Sequence, residues 1–208
     1  TSSLVGSEMC IRDRSTVDLL LPSGAENLNY VLYTDESPYK MQREWLDRLP
    51  FDIYSVNVHT GAKRLIGRSY RTAPKWSVNG KWAVMYDPIA QVWNKFDGAT
   101  GKVVNISDAI GYPMFVESYD KPAPAPAYGI AGWTADGNNV FLYDAYDWWK
   151  IDLTGERQPE CLTKGYGRKH GKSIRKMTSN IDKDVFQKDE KVRLSPVSYT
   201  HLTLPTIA

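Results

Sequence analysis

Trp76-Ser77-Val78-Asn79-Gly80 returns later in the chain as Trp133-Thr134-Ala135-Asp136-Gly137. Both copies have the form Trp-Ser/Thr-x-Asn/Asp-Gly, and both run directly into an apolar stretch, residues 81–86 and 139–143. Asn-Gly or Asp-Gly between apolar runs predicts a β-hairpin closed by a type I′ turn, which takes positive φ at two successive residues. A second motif alternates with the first. Thr60-Gly61, Thr100-Gly101 and Thr154-Gly155 each follow a short aromatic or β-branched run (53–58, 92–96, 148–152). Each also precedes another (62–66, 102–106, 160–163).

The order of events is then a strand ending in Trp-Ser/Thr, a hairpin, two more strands, a Thr-Gly turn and a fourth strand. Four antiparallel strands in a repeat of roughly 40–45 residues describe a β-propeller blade. The expected fold is therefore all-β: a partial β-propeller of about three four-stranded antiparallel blades, truncated at both ends. Upstream, residues 30–34 read as the second strand of a blade. Residues 39–48 break the pattern and fit either a helical turn or an extended loop between second and third strands. Downstream, residues 173–178 read as the opening of a further blade.

Successive Thr-Gly turns stand 40 and then 54 residues apart. The excess falls at residues 112–128, which hold Pro113, Pro122, Pro124 and Pro126. Alternating Pro and Ala cannot supply a strand ladder and prefers extended polyproline geometry. This stretch reads as a loop inserted between blades. Strand alternation places it opposite the Thr-Gly turns, on the face of the links between second and third strands. Its apolar Met114 and Phe115 call for a cover, which is expected from another domain or, if the loop folds back, from its own blade.

The two ends read differently from the middle. One coding DNA for Val197-Ser198-Tyr199-Thr200-His201-Leu202 is GTC TCT TAT ACA CAT CT. Its reverse complement, AG ATG TGT ATA AGA GAC, translates as Met9-Cys10-Ile11-Arg12-Asp13. Opposite strands of one short DNA thus encode both ends, as in the transposase mosaic end used to build sequencing libraries. Leu4-Val5-Gly6-Ser7-Glu8 and Thr203-Leu204-Pro205-Thr206 match the adjoining adapter arms in the same way. Residues 1–14 and 195–208 are therefore expected to be adapter-derived and not native, and residues 15–194 to be an internal propeller fragment.

Composition excludes several classes. The 208 residues are 42% hydrophobic and 12% aromatic, too aromatic for a disordered chain. No apolar run approaches the 18 residues or so of a membrane span, so no membrane is expected. Cys10 and Cys161 cannot form a disulfide framework or a Cys-rich zinc site, and a total of three histidines argues against a His-based metal centre. Residues 15–163 carry 14 Lys/Arg against 18 Asp/Glu, whereas 164–194 carry 10 against 4. The basic cluster from Lys164 to Lys176 lacks the aromatic interleaving of a nucleic-acid surface, so it reads as a solvated loop between blades that pairs with an acidic face. No nucleic-acid partner is expected.

No local constellation carries chemistry. Gly171-Lys172-Ser173 ends like a phosphate-binding P-loop, but Tyr166 stands where that motif needs its first glycine. No Gly-x-Ser-x-Gly elbow occurs. His59 reads as a surface residue of a Thr-Gly turn, beside the one other native histidine, His170. Asp87, Asp144 and Asp152 follow strands and read as turn formers. Trp76 and Trp133 read as packing between blades, and Trp148-Trp149 must point to opposite faces of its strand. No catalytic, cofactor-binding or metal-binding residue is assigned, and no cofactor is expected.

Three blocks in this order do carry a resemblance: 127–134 (Ala-Tyr-Gly-Ile-Ala-Gly-Trp-Thr), 147–152 (Asp-Trp-Trp-Lys-Ile-Asp) and 162–169 (Leu-Thr-Lys-Gly-Tyr-Gly-Arg-Lys). They resemble the propeller of dipeptidyl peptidase IV-like serine peptidases of the prolyl oligopeptidase family, over most of residues 50–175. The resemblance implies a parent with an N-terminal propeller and a C-terminal α/β-hydrolase domain that cleaves peptides through a Ser-His-Asp acyl-enzyme route. The catalytic domain would lie outside this chain. The propeller portion would gate peptide access, with the hydrolase domain and peptide substrates as partners. The paired glutamates that hold a substrate amino terminus in dipeptidyl-peptidase relatives have no match here. Resemblance alone favours a periplasmic or secreted location. The alternative is a fragment of a non-enzymatic periplasmic propeller that binds or scaffolds.

Overall fold

The computed structural model describes residues 17–22, 28–46, 48–177, 184–188 and 190–197. Residues 1–14 and 198–208, assigned above to adapter, lie outside the described residues.

Strands β1 (Val17–Leu20), β2 (Tyr30–Asp35), β3 (Phe51–Asn57) and β4 (Lys63–Tyr70) form an antiparallel meander in chain order. A second meander comprises β5 (Lys75–Trp76), β6 (Trp82–Asp87), β7 (Val92–Asp97) and β8 (Val103–Asn105). A third comprises β9 (Ile130–Thr134), β10 (Asn139–Tyr143), β11 (Trp148–Asp152) and β12 (Glu160–Cys161). Each has the strand order of a propeller blade, and the described residues are nearly all β. Residues 39–48 belong to the link between β2 and β3, which opens with a 3-10 helix at Ser37–Gln42.

The same side-chain devices recur from meander to meander among the described residues. Ser77 Oγ donates to Asn79 Oδ1 at 2.7 Å and accepts from Trp82 N at 3.2 Å. Thr134 Oγ1 donates to Asp136 Oδ1, and Asn139 N donates to Thr134 Oγ1 at 3.0 Å. At the other turn Asn57 Oδ1 accepts from His59 N and Thr60 N, and Asp97 Oδ1 accepts from Ala99 N and Thr100 N. One bond fastens the two turns together in every meander. It runs from Val58 N to Asn29 O (2.9 Å), from Gly98 N to Lys81 O (2.9 Å) and from Leu153 N to Asn138 O (2.8 Å). The Asn-Gly, Asp-Gly and Thr-Gly turns therefore share one end of each sheet, as strand alternation requires.

The type I′ expectation is corrected. Only the glycine of each pair has positive φ, Gly80 at 66° and Gly137 at 69°; Asn79 and Asp136 do not. Gly80 N donates to Ser77 O and Gly137 N to Thr134 O. That is a four-residue turn with a left-handed glycine at its last position. The Asn or Asp side chain is spent on the turn's own N–H groups, as at Lys81 N and Asn138 N, which favours an ordinary φ there.

The chain divides into two compact units. The first holds the first two meanders, up to Asp108, together with Lys121–Ala125. Its core joins the facing sides of the two sheets: Leu32 and Ile53 from the first, Ala83, Met85 and Phe96 from the second, and Tyr70 at the end of β4. Trp76 packs edge-on against Phe96 and donates its Nε1–H to Leu20 O at 3.0 Å. It thus packs between the sheets, as its motif position predicts. Burying each large side chain of this set contributes about 1.5–3 kcal/mol relative to leaving it exposed.

The second unit holds the third meander and the segments C-terminal to it. Beyond the meander lie a short helix (Tyr166–His170), β13 (Ser173–Lys176), β14 (Val185–Phe186) and β15 (Leu194–Val197). A further sheet opens at Ser173, where the sequence predicts the opening of another blade. Among the described residues β13 pairs antiparallel with β15, while β14 lies parallel along β9 and makes the third meander a five-stranded sheet. Residues 195–197, within the expected adapter segment, thereby pair with 173–175.

Candidate functional site

The most elaborate polar arrangement among the described residues surrounds Asp144–Asp147, the link between β10 and β11. Strand pairing brings Tyr143 opposite Trp148, so four residues must reverse the chain. Asp144 makes that possible. Its side chain is fully buried. Its Oδ1 accepts from Tyr146 N at 2.7 Å and from Asp147 N. Its Oδ2 accepts from Trp149 Nε1 and from Arg168 Nη2, both at 3.0 Å.

Asp147 is buried as well and reaches the next segment. Its Oδ1 accepts from Thr163 Oγ1 at 2.6 Å and Gly167 N at 2.9 Å, and its Oδ2 from Arg168 N at 3.1 Å. The last two donors are first-turn N–H groups of the Tyr166–His170 helix, which lack partners within a helix. Gly167 is required by close approach. A Cβ there would stand 2.4 Å from Tyr146 O and 2.7 Å from Lys172 O.

Two arginines complete the arrangement. The Arg168 guanidinium lies 3.9 Å from the centre of the Tyr112 ring and 5.1 Å from that of Tyr146. Arg175 Nη2 donates to Asp144 O at 2.9 Å while its guanidinium stacks over Tyr143 at 4.6 Å. Burial pushes the Tyr143 phenol above its ordinary value. Ser173 Oγ donates to Ala145 O, and Trp148 Nε1 donates to Ile174 O. A concavity of about 350 Å³ opens beside the arginine, walled by Tyr112, Trp149, Cys161 and Lys169.

These facts correct two expectations. Asp144 is more than a turn former: its buried carboxylate also pairs with the half-buried Arg168 guanidinium. Asp87, by contrast, caps Ile89 N and Ala90 N, and Asp152 caps Thr154 N, as turn formers do. The basic stretch 164–176 is solvated only in part: Lys164, Lys169 and Lys172 are exposed, whereas Arg168 and Arg175 reach the 144–147 turn. The acidic face it pairs with is that turn. Gly171-Lys172-Ser173 is a helix C-terminus entering a strand: Gly171, at φ 60°, donates back to Arg168 O and Gly167 O.

The remaining candidates are scattered. His59 Nε2 meets Asn29 Oδ1 at 3.2 Å on an exposed turn, and His170 stacks on Tyr166. Trp133 is buried, and Trp148 and Trp149 lie on opposite faces of β11, toward Phe141 and toward Asp144. Among the described residues no group of three His, Cys, Asp or Glu side chains is placed to hold a metal ion.

The 112–128 insert is a closed loop. Phe115 bridges Ala127, Val116 N donates to Pro126 O, and Tyr128 N donates to Met114 O. Tyr143 N donates to Gly129 O, so the end of the insert adjoins the 144–147 turn, away from Thr154-Gly155. Met114 is 2% exposed. Its cover is therefore supplied by the chain itself.

No family model matches the chain, and no curated protein does. Solved structures similar to it include the β-propeller domain of the Trilobed protease from Pyrococcus furiosus (16% identity, TM-score 0.35, 71% of this chain and 43% of that one). Others are an acylaminoacyl peptidase in complex with Z-Gly-Gly-Phe-chloromethyl ketone (15%, 0.37, 73% and 26%) and TolB from Acinetobacter baumannii (14%, 0.27, 70% and 43%). The chain spans less than half the length of each.

Chemically, the 144–147 cluster holds a turn. Each carboxylate oxygen of Asp144 and Asp147 already accepts hydrogen bonds, and Cys161 Sγ accepts from Gly165 N at 3.3 Å. Sequence reasoning missed Asp147 and Arg168 because their partners lie 16 to 24 residues away along the chain. The available signal was the Asp-x-x-Asp spacing followed by Gly-Tyr-Gly-Arg.

Proposed function

We propose that this chain is the non-catalytic β-propeller portion of a prolyl oligopeptidase-family serine peptidase, and that it gates peptide access to a hydrolase domain carried elsewhere in the parent. One observation supports this above the rest. The blocks that carry the sequence resemblance, 127–134, 147–152 and 162–169, all belong to one unit, and Asp147 ties the second to the third through Gly167 and Arg168. Two of the three resembling blocks are thus tied to each other by direct hydrogen bonds. The buried polar groups of that unit serve the scaffold, in keeping with a domain that shapes an entrance.

The test is to read the coding DNA beyond residue 194 and express the chain with its native continuation. A fluorophosphonate probe should label one serine in a Gly-x-Ser-x-Gly elbow of the continuation and none in 15–194. A continuation without a labelled serine refutes the reading in favour of a non-enzymatic periplasmic propeller.

A further inference from the structure

Strand β9 is the terminal strand of its antiparallel meander, and its outer edge presents backbone donors with no partner inside that meander. Residues 184–187 supply the partners. Trp133 N donates to Asp184 O at 2.7 Å, and Ala135 N donates to Phe186 O at 2.9 Å. The added strand is short, Val185 opposite Trp133 and Phe186 opposite Thr134, and it runs parallel. Such pairing is how edge strands take up extended peptides: main-chain bonds set the register, and a pocket selects the side chain.

The pocket is present. Phe186 is 4% exposed. Its ring stands edge-on to Phe141 at 5.7 Å and meets Trp148 at 6.4 Å, with Lys176 Nζ 5.8 Å above it. Gly132 makes the room: a Cβ there would stand 2.5 Å from the Phe186 ring and 2.8 Å from Asp184 O. A groove of about 800 Å³ continues past the ring, lined among others by Thr134, Leu162, Val192 and Leu194. It has room for residues flanking the aromatic anchor.

We infer that the edge of β9 is a binding site for an extended peptide with an aromatic side chain at the position of Phe186, and that residues 184–187 fill it in cis. The four strands β9–β12 pair among themselves without this segment. A tethered ligand competes at an effective concentration in the millimolar range. Free peptide therefore binds well only when the internal anchor is weakened. The site needs neither a hydrolase domain nor a catalytic serine.

The test uses the full chain and a labelled, end-capped peptide of sequence 183–188, Lys-Asp-Val-Phe-Gln-Lys. Phe186→Ala should bind it saturably and at least about ten-fold more tightly than the unaltered chain, the loss of one aromatic anchor being worth a factor of this order or more. Replacing the peptide's Phe by Ala, or adding Gly132→Val to the variant, should abolish the gain. Equal binding to the variant and the unaltered chain overturns the inference, as does binding that ignores the peptide's Phe. If Phe186→Ala does not fold, Phe186→Leu replaces it and must give the same ordering. A folded Leu variant that takes no peptide overturns the inference equally.

Discussion

Asp147 is expected to be the most costly single position in the second unit. Replacing it by Ala leaves Gly167 N–H and Arg168 N–H without an acceptor and leaves the Thr163 hydroxyl only the Cys161 sulfur, 3.6 Å away. Hydrogen bonds to a charged group contribute about 1.5–3 kcal/mol each, and an orphaned buried donor costs about 1–3 kcal/mol. The donors are coupled through one loop, so the costs do not simply add. Water reaches part of the site through the adjoining concavity. We expect Asp147→Ala to cost about 3–5 kcal/mol, less than the plain sum of three such bonds. That is a large share of the roughly 5–15 kcal/mol that holds a domain folded.

Asp147→Asn is the informative companion. Its carbonyl can still accept from Thr163 and Gly167, while its NH₂ must face Arg168 N–H, a donor against a donor. The expected cost is about 1–3 kcal/mol. Urea denaturation followed by far-ultraviolet circular dichroism measures both. An Ala variant within about 1 kcal/mol of the unaltered chain refutes the keystone role, as does an Asn variant as unstable as the Ala one.

Three further outcomes are expected. Tyr86 donates to Ala125 O at 3.1 Å, and burial, with the nearby Asp87 charge, pushes its phenol up to about 12. Its neutral form therefore stabilises the first unit fully below about pH 10, and that contribution is lost as pH rises through about 12. Tyr86→Phe should cost about 1 kcal/mol at neutral pH and lessen the alkaline loss, as read by denaturation at both pH values. Asp136 is held below its ordinary value by the Thr134 hydroxyl and the Asn138 N–H, so its contribution is present above about pH 4 and lost as pH falls through its lowered value. Asp136→Asn should therefore flatten the acid limb of a stability–pH curve, and an unchanged limb would count against the turn network. Removing residues 1–14 and 198–208 should leave stability within about 1 kcal/mol, whereas also removing 194–197 should cost more, since those residues pair with β13.

The blade pattern was legible because its causes are local. Hairpin glycines, capping Asn, Asp, Ser and Thr side chains, and alternating apolar residues each act within a few positions, so they leave periodic marks. The packing of Trp76 could be read from its motif position. Even there the turn type was misread, because Asn-Gly is compatible with two geometries. The hydroxyl at Ser77 or Thr134 selects the one with a single left-handed glycine.

Other features depended on contacts distant in sequence. Nothing near Asp147 announces that it caps a helix 20 residues on, and nothing near Arg168 shows that its charge is met by Asp144. Composition showed a basic stretch; that two of its arginines turn inward came from the three-dimensional arrangement alone. Parallel addition of β14 to β9 was equally hidden, since a two-residue strand leaves no periodicity and its anchor is the absence of a side chain at Gly132. The meanders were written into the order of residues, because their interactions are between near neighbours along the chain. How their edges and turns are satisfied was left to the folded chain, because a buried charge or an open strand edge takes whichever partner the fold brings close.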